Sequence, residues 1–315
     1  MKAQRTPRAA SSRPQLEALE SRWCPSAASI TVQGHTMIIK GDALADLITI
    51  RDDGDGGVSA SVVSTAGKVT GSGSAITKVE VYGGKGSDMV DFALTNTLAT
   101  DLALDVHLGA GSDQANLNVA DGIRNSHVKV DVDGRAGSDQ VTAALGDVAD
   151  SYVHFSSCLG RGNDSFNLGF KGDVTGDSDV GVVANGGKGA DSLHVDAAGL
   201  DIGAASKVYI EENGGAGDDN VGLSYDGVLK GTLTVKLNGG KGNDTVVGNI
   251  TAKEGSTGTL NAVEHGGPGN DNLTLNVYDN SNPGGPSRLK DLDAVIYTGP
   301  GHDVVTHTPN VKVVK

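Results

Sequence analysis

From about residue 77 to residue 307 the chain alternates apolar and polar positions around one recurring turn, whose last residue is always Asp. The turn ends at Asp88, Asp113, Asp139, Asp164, Asp191, Asp219, Asp244, Asp271 and Asp303, with successive spacings of 25, 26, 25, 27, 28, 25, 27 and 32 residues. Nine positions before these Asp stand Val79, Leu104, Val130, Phe155, Val182, Ile210, Val235, Ala262 and Ala294. Two positions after them stand Val90, Ala115, Val141, Phe166, Leu193, Val221, Val246, Leu273 and Val305. Position −11 is apolar except at Thr77, and position +4 is apolar except at Gly248 and His307. Apolar residues two apart on both sides of a turn predict two strands, each with one inward face. Polar stretches such as 146–151 return the chain to the next copy.

A two-stranded unit cannot bury its inner face alone, whereas stacked copies can. The period predicts an all-β fold, a right-handed parallel β-helix or β-solenoid with coils of about 26 residues, its hand following the rule for parallel crossovers. A β-sandwich would instead show hairpins every 8–12 residues or so. Residues 81–305 form the solenoid of nine coils, and 30–80 an N-terminal degenerate coil and cap. Within that cap Asp46 takes the Asp place, flanked by Met37, Ile39, Ile48 and Ile50. Residues 52–57 (DDGDGG) read as a hairpin turn between Ile50 and Val58, and 306–315 as a last strand or tail.

Composition sharpens this. The chain has 315 residues, of which 47 are Gly and only 3% are aromatic. Gly and Asp both disfavour helix interiors, which excludes a helical bundle. No apolar run is long enough for a transmembrane helix. Five basic residues against Glu17 and Glu20 make 1–29 net +3; with the whole chain at −14, residues 30–315 carry −17. So acidic a body repels nucleic acid and anionic membranes, and small cations are its natural partners. Two cysteines, Cys24 and Cys158, provide no disulfide framework and no Cys-rich zinc site.

Stacked at equal phase, the nine Asp form a carboxylate column with a spacing of about 4.8 Å. Neighbouring charges at that distance repel by about 1 kcal/mol in water and about 3–4 kcal/mol at an effective dielectric of 20. The column therefore requires counter-cations or raised carboxyl pKa values. Calcium suits it best, accepting six to eight oxygens in flexible geometry, where magnesium is stricter. The glycines two before each Asp (Gly86, Gly111, Gly137, Gly162, Gly189, Gly217, Gly242, Gly269 and Gly301) permit positive φ and a carbonyl turned toward an ion. The other reading is a plain turn that binds nothing. Asp at all nine ends, with Asn confined to the neighbouring positions 163, 243 and 270, favours the ion.

These turns resemble the hemolysin-type (RTX) calcium-binding repeat, G-G-x-G-x-D-x-U-x. Residues 83–88, 186–191, 214–219, 239–244 and 266–271 match its turn in full. The resemblance implies calcium held between stacked loops by the Asp carboxylates and loop carbonyls, with folding coupled to secretion. It covers roughly residues 80–305, and it departs from the family in having one turn per coil rather than tandem copies every nine residues. Leu108, Leu159 and Thr298 replace the first Gly, and Arg135 the second. Residues 16–27 (LEALESRWCPSA) resemble the segment that opens many secreted planctomycete proteins. This implies an export leader over residues 1–29 and a secreted or cell-surface location.

No HExxH, GxSxG or P-loop pattern occurs, and the eight His are dispersed, His302 and His307 being the nearest pair. Residues 173–180 (DVTGDSDV) resemble an EF-hand loop only faintly, with Ser178 at the sixth place and Ala184 at the twelfth. Glu212 and Glu264 fall seven before their Asp, an inward phase; a buried acid there could be catalytic, and a local bulge turning each outward is the commoner expectation. The function expected is a secreted, calcium-binding, non-catalytic solenoid with a structural, adhesive or surface role. Its partners would be calcium and extracellular polysaccharide or surface proteins. The alternatives are a polysaccharide lyase or hydrolase, with 279–291 as its one distinctive loop, and a solenoid that binds no ion.

Overall fold

The computed structural model describes residues 27–315; Cys24 and most of the leader segment lie outside them. The described chain is all-β, with two twelve-stranded sheets, one three-stranded sheet and no helix. Each turn joins a strand of one large sheet (sheet A) to a strand of the other (sheet B), and the next coil adds its strands in parallel alongside. The fold is a parallel β-solenoid, as the period requires.

Register follows the hydrophobic columns. In sheet A, Val79, Leu104, Val130 and Phe155 pair in succession, and the series continues through Val182, Ile210, Val235 and Ala262 to Ala294. In sheet B, Val90, Ala115, Val141, Phe166, Leu193, Val221, Val246, Leu273 and Val305 do the same. Slipping one strand by a residue would turn its apolar set outward, so burial fixes the pairing. A fully buried Val, Leu, Ile or Phe contributes about 1.5–3 kcal/mol. The Phe155 and Phe166 rings meet inside the coil at 5.8 Å between centroids.

The return stretch is a third side. Ile123–Arg124, Val148–Ala149 and Val174–Thr175 form a short parallel sheet, continued by single bridges at Leu98, Ile202 and Leu229. Six successive coils turn Leu98, Ile123, Val148, Val174, Ile202 and Leu229 inward here, all buried. The EF-hand-like residues 173–180 run from this side into the sheet A strand that starts at Asp179. Asp173 and Asp177 donate their backbone N–H to Asp147 and Asp150 of the previous coil, which makes the segment a solenoid corner.

The N-terminal end is closed by antiparallel strands. Ser29–Gln33 pairs with Thr36–Lys40, and Leu47–Asp52 with Val58–Ser64, which pairs with Gly67–Gly73. Residues 52–57 are the expected hairpin turn, in which the Asp53 carboxylate accepts the N–H groups of Asp55 and Gly57. Ile30 lies across Gly71, where a Cβ would stand 2.6 Å from its Cγ2. At the other end Lys312–Val314 pairs in parallel with Val295–Tyr297, with Lys312 and Lys315 exposed.

Candidate functional site: the aspartate ladder

The turn geometry comes from its glycines. Position −4 has positive φ in all nine turns, including Arg135 at φ 77°, whose Nε donates to Asp133 at 2.8 Å. Position −2 is Gly with φ between 118° and 155° throughout. From Gly111 onward, a Cβ on each −2 glycine would lie only 1.3–1.8 Å from the carbonyl oxygen of the previous one. Each of these carbonyls therefore points along the stack at the next glycine. The glycines let neighbouring turns approach closely.

That approach brings the Asp side chains into a continuous ladder. The N–H of Asp88 donates to Asp113 Oδ1 at 2.7 Å, Asp113 donates to Asp139 at 2.9 Å, and Asp139 donates to Asp164 at 2.7 Å. The series runs through Asp191, Asp219, Asp244 and Asp271 to Asp303 at 2.8–3.0 Å. It begins one coil earlier, where Asp46 N–H donates to Asp88 Oδ1. The carboxylates from Asp88 to Asp271 are buried, and Asp303 is half-buried.

The second oxygen is the unusual one. Oδ2 of Asp88, Asp113, Asp139, Asp164, Asp191, Asp219, Asp244 and Asp271 is buried without a hydrogen-bond partner. Where position −5 is Gly, this oxygen faces it. A Cβ at Gly83, Gly134, Gly186, Gly214, Gly239 or Gly266 would come within 2.5–2.7 Å of the Oδ2 of its own turn. Burial raises the carboxyl pKa values, to about 7 at Asp88 and about 6 at Asp139 and Asp219. The donated N–H opposes the shift, and neighbouring carboxylates add to it. The sequence thus placed the column correctly, while the inward aim of the carboxylates is a product of the fold.

Glu212 and Glu264 correct the sequence reading. No bulge turns them outward; both are fully buried, and they pair in register with Leu237, which stands between them. Glu264 Oε1 accepts the N–H of Gly248 at 2.8 Å. Gly248, an exception at +4, leaves the room that Glu264 fills, since a Cβ there would lie 2.9 Å from Oε1.

A second ladder escaped the sequence reading. Ser126, Ser151, Ser178 and Ser206 stand thirteen before their Asp and are buried. Ser151 Oγ accepts the N–H of Ser126, and Ser178 Oγ that of Ser151. Their common phase was the available signal. Asp147, Asp173 and Asp201 form a further, more open corner of opposite sense, each accepting an N–H from the following coil rather than the preceding one.

The histidines are dispersed over the surface as expected. His107 stacks on Tyr82 and His265 on Tyr297, while His302 and His307 engage Asn270 and Thr308 separately. In the loop 279–291, Ser281 Oγ accepts the Arg288 N–H, and the loop closes on itself. Among the described residues no three His, Cys, Asp or Glu side chains converge as a metal cluster; the eight turns from Asp88 to Asp271 each present one unpartnered carboxylate oxygen instead. No described helix is long and apolar enough to cross a membrane. No protein-family model, curated protein or solved structure matches the chain.

Proposed function

We propose that the protein is a structural β-solenoid of the extracellular or cell-surface space whose aspartate column takes up calcium and stiffens the rod. The observation that carries this reading is the run of eight successive buried Oδ2 atoms with no donor. A buried carboxylate must be paired, coordinated or protonated. The donor on each of these carboxylates is a neutral backbone N–H, so a proton or a cation must answer the charge. A hard divalent cation suits a donor set made only of oxygens. Asp88, Asp113, Asp139, Asp164, Asp191, Asp219, Asp244 and Asp271 would hold it, and it would supply the positive charge that the column lacks. The −2 glycines serve by letting successive turns approach. The resemblance to the RTX turn and the leader-like residues 16–27 support export, into surroundings where calcium is plentiful.

The test is a calcium titration of the full chain from a chelator-treated start, following circular dichroism and melting temperature at pH 8, with magnesium as control. A rise of about 10 °C or more, on the order of 3–5 kcal/mol, is expected with calcium and only a small one with magnesium. Identical curves with and without calcium would leave the ladder as a purely structural, proton-neutralised device.

A further inference from the structure

The interior column at position −7 runs Ser157, Ala184, Glu212, Leu237, Glu264, Ile296 in successive coils. Two carboxyl groups therefore sit two coils apart inside an apolar core, both 0% exposed. Both oxygens of Glu212 and Oε2 of Glu264 lack any hydrogen-bond partner. The contact made to either group is the Gly248 N–H on Glu264 Oε1; a carboxylate accepts it more strongly than an acid does, but one N–H does not offset the burial of a whole charge. An ionised carboxylate without a partner in such surroundings is far costlier than a neutral acid.

The neighbours offer no compensating charge. Glu212 is flanked in sheet A by Ala184 and Leu237, and Glu264 by Leu237 and Ile296. Facing Glu264 from sheet B is Gly248, beside Leu275. The strand Asn220–Gly227 that follows Glu212 turns Val221, Leu223 and the phenol of Tyr225 inward, and Tyr225 is itself held neutral by burial. Burial alone raises Glu212 well above the usual carboxyl range, and burial opposed by the Gly248 N–H sets Glu264 at about 8. No neighbouring charge contributes to either shift.

We propose that Glu212 and Glu264 form a proton-dependent lock on the C-terminal half of the solenoid: both enter the interior as neutral acids, and loss of their protons opens the coils that carry them. The lock is independent of the aspartate column, which lies at the turn. Its sign follows from linkage. Unfolded Glu ionises near its ordinary value, about 4.3, while the folded chain keeps the proton. Stability is thus full below that value and falls as pH rises toward the folded pKa. For Glu264 the fall extends to about pH 8.

Hydrogen exchange of the full chain in chelator, corrected for the intrinsic pH dependence, tests the lock. Protection in Lys207–Ala216 and Thr259–His265 is compared with that in Lys78–Lys85, whose interior carries Val79 and Val81. Between pH 5 and 8, protection at the two Glu strands should fall on the order of tenfold per pH unit for each carboxyl, beyond any change at Lys78–Lys85. In the Glu212→Gln/Glu264→Gln variant this excess should vanish. An equal excess in the variant, or none in the wild type, overturns the proposal. Should the variant fail to fold, infrared spectra of wild-type chain labelled with 13C-glutamate decide the question. A protonated carboxyl band persisting at pH 6.5 upholds the lock, and its absence overturns it.

Discussion

Gly137→Ala should cost the protein at least about 4 kcal/mol, the range reserved for gross steric or backbone faults. The added Cβ would lie 1.3 Å from the Gly111 carbonyl oxygen, and Gly137 has φ 135°. Neither atom belongs to a flexible side chain, so no rotamer change relieves the overlap. The two turns must separate, and separation breaks the Asp113–Asp139 link of the ladder. Gly199→Ala is the control, because Gly199 also has positive φ, at 90°, yet meets nothing within 4 Å. It should lose only the backbone strain, about 1–3 kcal/mol. Thermal melts of the two variants should therefore differ by several degrees or more, at about 2–4 °C per kcal/mol. Equal melting temperatures would mean that the turns stack more loosely than the structure has them.

Asp219→Ala should destabilise the chain by about 1–3 kcal/mol through the unpaired N–H it leaves buried, whereas Asp219→Asn should be far milder. Asp219 Oδ1 accepts the Asp191 N–H at 2.8 Å, and an amide side chain retains an acceptor in that place. The two changes separate the carboxylate's hydrogen bond from its charge. Because burial raises the Asp219 pKa to about 6, its contribution falls as pH rises from the unfolded value near 4 to about 6. In chelator the Asp219→Asn variant should lack that part of the pH dependence. With calcium present it should gain less melting temperature than the wild type, since the amide brings no charge. Matching pH and calcium profiles for the Asp219→Asn variant and the wild type would remove Asp219 from any ionic role. Equal losses in the two variants would remove its hydrogen bond.

Both predictions act on a turn that was legible in the chain itself. Nine Asp at a period of 25–32 residues, with apolar residues at −11, −9, +2 and +4, determined a parallel solenoid and the order of its columns. Periodicity suffices for this because each coil sees only its neighbours, so equal phase in sequence becomes equal place in space. The same rule extends to the serines thirteen before Asp139, Asp164, Asp191 and Asp219, whose shared phase lies in the return stretch rather than in the strands.

Where a side chain points at a turn is a different matter. Nothing in the spacing distinguishes a carboxylate at the solvent edge from one folded beneath its own turn with Oδ1 on the preceding N–H. Only the close approach of consecutive turns, permitted by glycines that lack a Cβ, sets that aim. Glu212 and Glu264 show the same division. Their inward phase was plain in the sequence, and a bulge carrying them out was the expectation. The structure keeps both in, because strands locked in register on both sides cannot bulge alone, and for Glu264 because Gly248 leaves a space that only the opposite sheet reveals. Local pattern fixed the path of the chain; contacts between coils decided which polar groups that path would bury.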